Sequence, residues 1–277
     1  MAMGEISLTS GMRSNLLSLQ GTTKLIDQTQ NRLSTGKKVN TPLDNPTNYF
    51  AAQGHMERAG DLAVRKDGMA EAIQMVKTAD TGIKSISALI ESAKGVATAA
   101  TSTSDMNERS AYQTTFTTLL NQITMMASDS GYRGTNLLTG GSQTVEFGQR
   151  TNSATLQISG FDASATGLTV QAATATEWSD ASLGNAAITS SAGELESALS
   201  YLRSKSSALS ANLSVVTTRQ DFTNSMINTL QIGADNLTLA DTNEEGANML
   251  MLQTRQNLGI TSLSMASQAA QAVLRLF

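Results

Sequence analysis

Residues 62–100 read LAVRKDGMAEAIQMVKTADTGIKSISALIESAKGVATAA, and Leu62, Met69, Val76, Ile83, Ile90 and Ala97 recur at every seventh position. Three residues after the second and each later member of that series stand Ala72, Ala79, Ile86, Ala93 and Ala100. Apolar positions three and four apart share one face of a helix, and small side chains at the second position let a partner helix come close. The pattern predicts one helix from about Thr47 to Ala100, about 80 Å long at 1.5 Å per residue. Gly54, Gly60, Gly68, Gly82 and Gly95 each weaken it by about 1 kcal/mol relative to Ala. Tertiary packing is therefore expected to hold it.

Downstream, residues 101–105 read as a turn with helix-capping side chains. A third helix is expected to about Ser128, with Tyr112, Phe116, Leu119, Ile123 and Met126 on one stripe. Gly131 and Gly134 break it. From Thr144 to Gln171 the period changes to two: Val145/Phe147, Leu156/Ile158 and Leu168/Val170 alternate with polar neighbours, which predicts short strands in hairpins. Helical spacing resumes near Ser190 and runs through Leu199, Leu202, Leu209, Leu213, Val216, Ile227, Leu230, Ala234 and Leu237, with Ser206, Gln220 and Thr223 as polar members.

Both ends carry stripes of their own. Met249, Leu252, Gly259, Leu263, Ala266, Ala270 and Val273 alternate steps of four and three up to Phe277, broken only by Gln256. Near the start, Met12, Leu16, Leu19, Ile26 and Leu33 follow the same rhythm, with Thr23 and Gln30 as polar interruptions. The first of these helices spans about Ser10 to Ser34 and ends at Gly36, which can take a left-handed conformation. Pro42 and Pro46, the only prolines, mark a linker after it. The expected fold is mainly α: a long antiparallel helical bundle or coiled-coil rod, with a small β-hairpin region (about 143–172) in the middle of the chain. The first helix should pair with the last, and the second with the fifth. Residues 1–40 with 241–277 then form one helical domain and residues 41–240 another. Chain ends usually fray, so ends built to pack imply an assembly. Its interface is expected at Met12, Leu16, Leu19, Ile26, Leu33, Met249, Leu252, Leu263, Ala266, Ala270, Val273 and Phe277.

The chain has 277 residues and a net charge of −4. With a pI near 5.1 it offers no basic field for nucleic acid. It contains no cysteine, which removes thiol nucleophiles and thiolate metal sites. The single histidine, His55, lacks the convergent partners of a metal or catalytic centre and reads as a solvated or interface residue. The glycines between Gly131 and Gly141 are not followed by the Lys-Ser/Thr of a phosphate loop. The thirteen methionines read as adaptable filler of cores and interfaces. No enzyme site, cofactor or metal is expected, and no apolar run is long enough for a membrane span. The first residues lack the order of a cleavable signal peptide, so export, if it occurs, should use another route.

Three motifs resemble bacterial flagellins. RLSTGKKVN (Arg32–Asn40), followed by Pro42, Asp44, Asn45 and Pro46, is similar to the junction between the family's innermost and outer core domains. YRGTNLLTG (Tyr132–Gly140) resembles the segment leading into the family's β region. Ala240-Asp241, MLQTRQNLG (Met251–Gly259) and QAVLRLF (Gln271–Phe277) resemble its C-terminal helix. The resemblance implies a short flagellin with little or no variable outer domain. It would be a structural subunit that assembles with many copies of itself into the extracellular flagellar filament for swimming. It also implies unfolded export through the flagellar type III apparatus, an export chaperone on the C-terminal helix, and hook–filament junction and cap proteins at the filament ends. A hook–filament junction protein, with similar termini, is the alternative; a helical binding module is a more distant one. The Arg-Glu-Leu-centred run of flagellins seen by Toll-like receptor 5 is replaced here by Ile86–Val96, which has no Arg-Glu pair, so weak activation is expected.

Overall fold

A computed structural model describes residues 10–148, 154–171 and 174–274. In chain order the elements are α1 (Ser10–Thr35), α2 (Pro46–Ser102), α3 (Met106–Asp129), β1 (Ser142–Glu146), β2 (Thr155–Ser159), α4 (Ala175–Trp178), α5 (Gly184–Thr238) and α6 (Thr242–Leu274). The chain divides into two units. One comprises Met1–Glu57 with Thr229–Phe277, the other Arg58–Asn228. The fold class is the one expected: mainly helical, with one small antiparallel two-stranded sheet among the described residues.

In the larger unit the heptad reading of α2 is realised in full. Every apolar member from Leu62 to Ala100 is buried, and Met69, Ile86, Ile90 and Ala97 are sealed completely. Against them pack Leu195, Leu202, Leu209 and Val216 of α5 and Phe116, Leu120 and Ile123 of α3. Polar bonds fix the antiparallel pairing of α2 and α5. Ser206 Oγ donates to Asp80 Oδ1 at 2.9 Å, and Lys94 Nζ lies 2.7 Å from Glu196 Oε1. Gly82 has a positive reason to be glycine. A Cβ there would run into Ser130 Oγ and stand 2.7 Å from Leu138 Cδ1, so the chain after α3 crosses α2 only because that side chain is missing.

Strands β1 and β2 pair antiparallel with Val145 opposite Leu156 and Gln143 opposite Ile158. Val145 and Ile158 face inward and are buried, as the period of two requires. The third expected strand does not form. Residues 165–169 are a turn closed by Leu168 N to Ser164 O and Val170 N to Ala165 O, and Thr169 has φ +58°. Leu168 and Val170 are both buried, so the alternation is real, but a left-handed residue between them produces it rather than an extended strand.

Sequence periodicity missed α4, whose four residues are too few to show a repeat. A capping box closes it: Glu177 N donates to Thr174 Oγ1, and Thr174 N to Glu177 Oε2. The helix delivers Trp178 into the core, fully buried, with its ring 5.0 Å from that of Phe116. Arg109 ties the neighbouring turns together. Its Nε donates to Thr103 O at 2.8 Å and its Nη2 to Asn185 Oδ1 at 2.6 Å.

The smaller unit is built on α1 and α6. Gly36, at φ +68°, ends α1 as its sequence suggested. The chain segments that follow α1 and α5 are laced by backbone bonds. Lys38 N donates to Thr238 O at 2.8 Å and Ala240 N to Gly36 O at 2.9 Å.

Candidate assembly interface

Helices α1 and α6 lie antiparallel. Arg32, in the last turn of α1, donates through Nη1 to Glu245 Oε1 in the first turn of α6 at 2.9 Å. Further along, Leu19 fills the space that Gly259 leaves: a Cβ at Gly259 would stand 2.9 Å from Leu19 Cδ2. Gly259 lets the two helices approach at this point as a small seam residue should.

On α6 the shielded line is the stripe expected from the sequence, extended backwards by Glu245. Leu252 is buried and Met249, Gln256, Gly259, Leu263, Ala266 and Ala270 are half-buried. Phe277 and the side chain of Val273 lie outside the described residues. On α1 the seam differs from expectation at its second position. Met12 is buried and Leu19, Ile26 and Leu33 are half-buried, but the residues between them are Thr22 and Thr29, both buried, rather than Thr23 and Gln30. Leu16 is exposed. Thr22 fits because its hydroxyl is satisfied locally, donating to Ser18 O at 2.9 Å, which leaves its methyl for the seam.

A second apolar line on α6 escaped the sequence reading. Met251, Leu258 and Met265 are seven apart and all exposed, with Leu258 at 63%. Each is one residue from a seam position, about 100° round the helix from it. Leu250 is exposed beside them. On α1, Leu17 and Leu25 stand outside the seam as well, Leu17 at 69%. The signal was present as a parallel seven-residue series, hidden because it runs one step behind the stronger stripe. The paired helices thus use one apolar face on each other and present others to solvent. Large apolar side chains repeated along an exposed helix face mark an interaction surface.

The region where α1, the linker and α6 meet is charged. Asp44 Oδ2 accepts from Thr41 N at 2.9 Å, Asn40 N at 3.0 Å and Thr41 Oγ1 at 3.1 Å. The N–H groups of Thr41 and Asn40 hold its carboxyl below the ordinary value, with Arg32 adding a smaller pull. His55 packs beside Gly233. Among the described residues no group of three His, Cys, Asp or Glu side chains could hold a metal, and no helix is long and apolar enough to cross a membrane. The features that repeat here are apolar and suited to holding another helix.

Comparison with known proteins gives the same direction. Residues 7–143 match the family model described as the bacterial flagellin N-terminal helical region. Flagellin FljM of Caulobacter vibrioides is 29% identical over 279 residues, covering 100% of both chains. A flagellin of Brucella melitensis is 26% identical over 99% of each chain. Flagellin B of Rhizobium meliloti is 34% identical over 95 residues, covering 34% of this chain and 24% of that protein.

Proposed function

The chain belongs to the bacterial flagellin family and is a structural, non-enzymatic subunit of the flagellar filament, and from that premise we propose how its helices make the polymer. The α1–α6 pair is the inner-tube domain, residues 1–40 with 241–277, and residues 41–240 are the outer core domain. Met12, Leu19, Ile26, Leu33, Met249, Leu252, Leu263, Ala266 and Ala270 set the spacing of the pair and, with Leu16, Val273 and Phe277, contribute to its contacts with neighbouring copies. Met251, Leu258 and Met265 extend that surface.

The observation that carries this reading is the solvent-facing line Met251, Leu258 and Met265 on a helix whose other apolar line is already occupied by α1. Each large apolar side chain removed from water contributes about 1.5–3 kcal/mol. Three per subunit, repeated at every contact, make a polymer stable although each contact is small. The same line is the surface an export chaperone would cover before assembly, while junction and cap proteins would meet it at the filament ends. Purified chain added to short filament seeds, followed by sedimentation and negative-stain microscopy, tests the reading. Elongated filaments are expected. A chain that stays monomeric at every concentration contradicts it.

A further inference from the structure

Leu43 is 95% exposed, the most exposed large apolar residue among the described residues, yet it sits on a constrained loop between Pro42 and Pro46. Three hydrogen bonds to Asp44 Oδ2 close that loop from below, and Asp44 N donates back to Thr41 O at 3.1 Å. On its far side Asn45 Oδ1 accepts from Asn48 N at 3.0 Å and fixes the entry into α2. An apolar side chain on a preorganised support loses little conformational freedom when it docks, as binding anchors do.

The same unit carries a groove of about 270 Å³ walled by Val39, Tyr49, Ala52, Met56 and Ala234, with Lys37 and Asp235 among its polar lining. Its floor is apolar, since Val39, Ala52 and Ala234 are buried, and Met56 is a flexible wall. The groove's own Leu43 points into solvent and does not fill it.

We propose that Leu43 of one subunit docks in the Val39–Ala52–Met56–Ala234 groove of a neighbouring copy. This rests on the filament reading above, which supplies the second copy as occupant. Knob and groove are different patches of one chain, so the contact is head-to-tail. Such contacts propagate along a filament rather than closing on a dimer.

The natural chain has no cysteine, so disulfide trapping is free of background. A Leu43→Cys/Met56→Cys double variant, polymerised on seeds and mildly oxidised, should give a ladder of covalent dimers, trimers and longer chains on non-reducing gels. The same protein kept monomeric should give none. A Leu43→Cys/Met251→Cys variant should give none in either state. Filaments of the 43/56 variant without a ladder, or a ladder from the 43/251 variant instead, overturn the docking and leave the filament reading intact. Failure of the unaltered chain to elongate seeds overturns both. Independently, Leu43→Asp should raise the critical concentration for polymerisation about tenfold or more with unchanged circular dichroism, and Leu43→Met should leave it within about twofold. Polymerisation of Leu43→Asp at the parent's critical concentration also overturns the proposal.

Discussion

Arg32 and Glu245 form an ion pair of 2.9 Å that joins the C-terminal turn of α1 to the N-terminal turn of α6, with the Glu245 side chain only 9% exposed. Each charge also suits the helix end that bears it, cation at the C-terminus and anion at the N-terminus. The pair therefore fixes the axial register of the two helices as well as their contact.

Removing one partner strands the other. Glu245→Ala should weaken α1–α6 pairing by about 1–2 kcal/mol, a figure reduced from that of a deeply buried pair because Arg32 keeps a third of its side chain in water. Hydrogen exchange should show lost protection in α1 and the start of α6 and unchanged protection in α3. Replacing both residues by Met should restore most of it.

The helix glycines divide by sign. Gly82→Ala forces a methyl against Ser130 and Leu138 and should destabilise by about 1–2 kcal/mol net of the helix gain. Gly95→Ala, with nothing within 4 Å, should stabilise by up to about 1 kcal/mol. Urea denaturation of the two variants beside the parent checks both directions.

Asp80 accepts from Lys84 at 2.7 Å and from Ser206 at 2.9 Å, and the Lys84 bond chiefly holds its carboxyl below the ordinary 3.8. A folded value below the unfolded one stabilises above the unfolded pKa, and this contribution fades as pH falls through the folded value. The difference in urea midpoint between parent and Asp80→Asn should be steady from pH 7 to about 5 and shrink below about pH 4.

The surface around Glu91 gives a binding prediction. Ile86–Val96 exposes Glu91 without a preceding arginine, and Ile86, Ile90 and Ala93 are buried. A Toll-like receptor 5 reporter should respond weakly or not at all to this chain, where an activating flagellin gives full signal.

The long helices were legible because their apolar series run for many turns at one spacing, so errors at single positions average out. The α2 series from Leu62 to Ala100 needed no revision. The seam of α1 was misread at alternate positions because a heptad steps by three or by four. The packing takes Thr22 and Thr29, a selection that apolar spacing alone does not make. The exposed line Met251–Leu258–Met265 was written in the sequence, yet two apolar series one residue apart look like one broad face until a structure shows which line α1 occupies. Leu168 and Val170 mimicked a strand because a left-handed Thr169 reproduces the alternation, and backbone handedness leaves no mark in apolar spacing.

The most direct measurement is seeded polymerisation of a Leu258→Glu/Met265→Glu variant, scored by pelleted protein and by negative-stain microscopy. Both residues face solvent in the monomer, so the variant should keep the parent's circular dichroism and melting profile. It should remain in the supernatant at concentrations where the parent forms long filaments. Filaments of normal length, growing at the parent's critical concentration, would contradict the assignment of this face to subunit contacts.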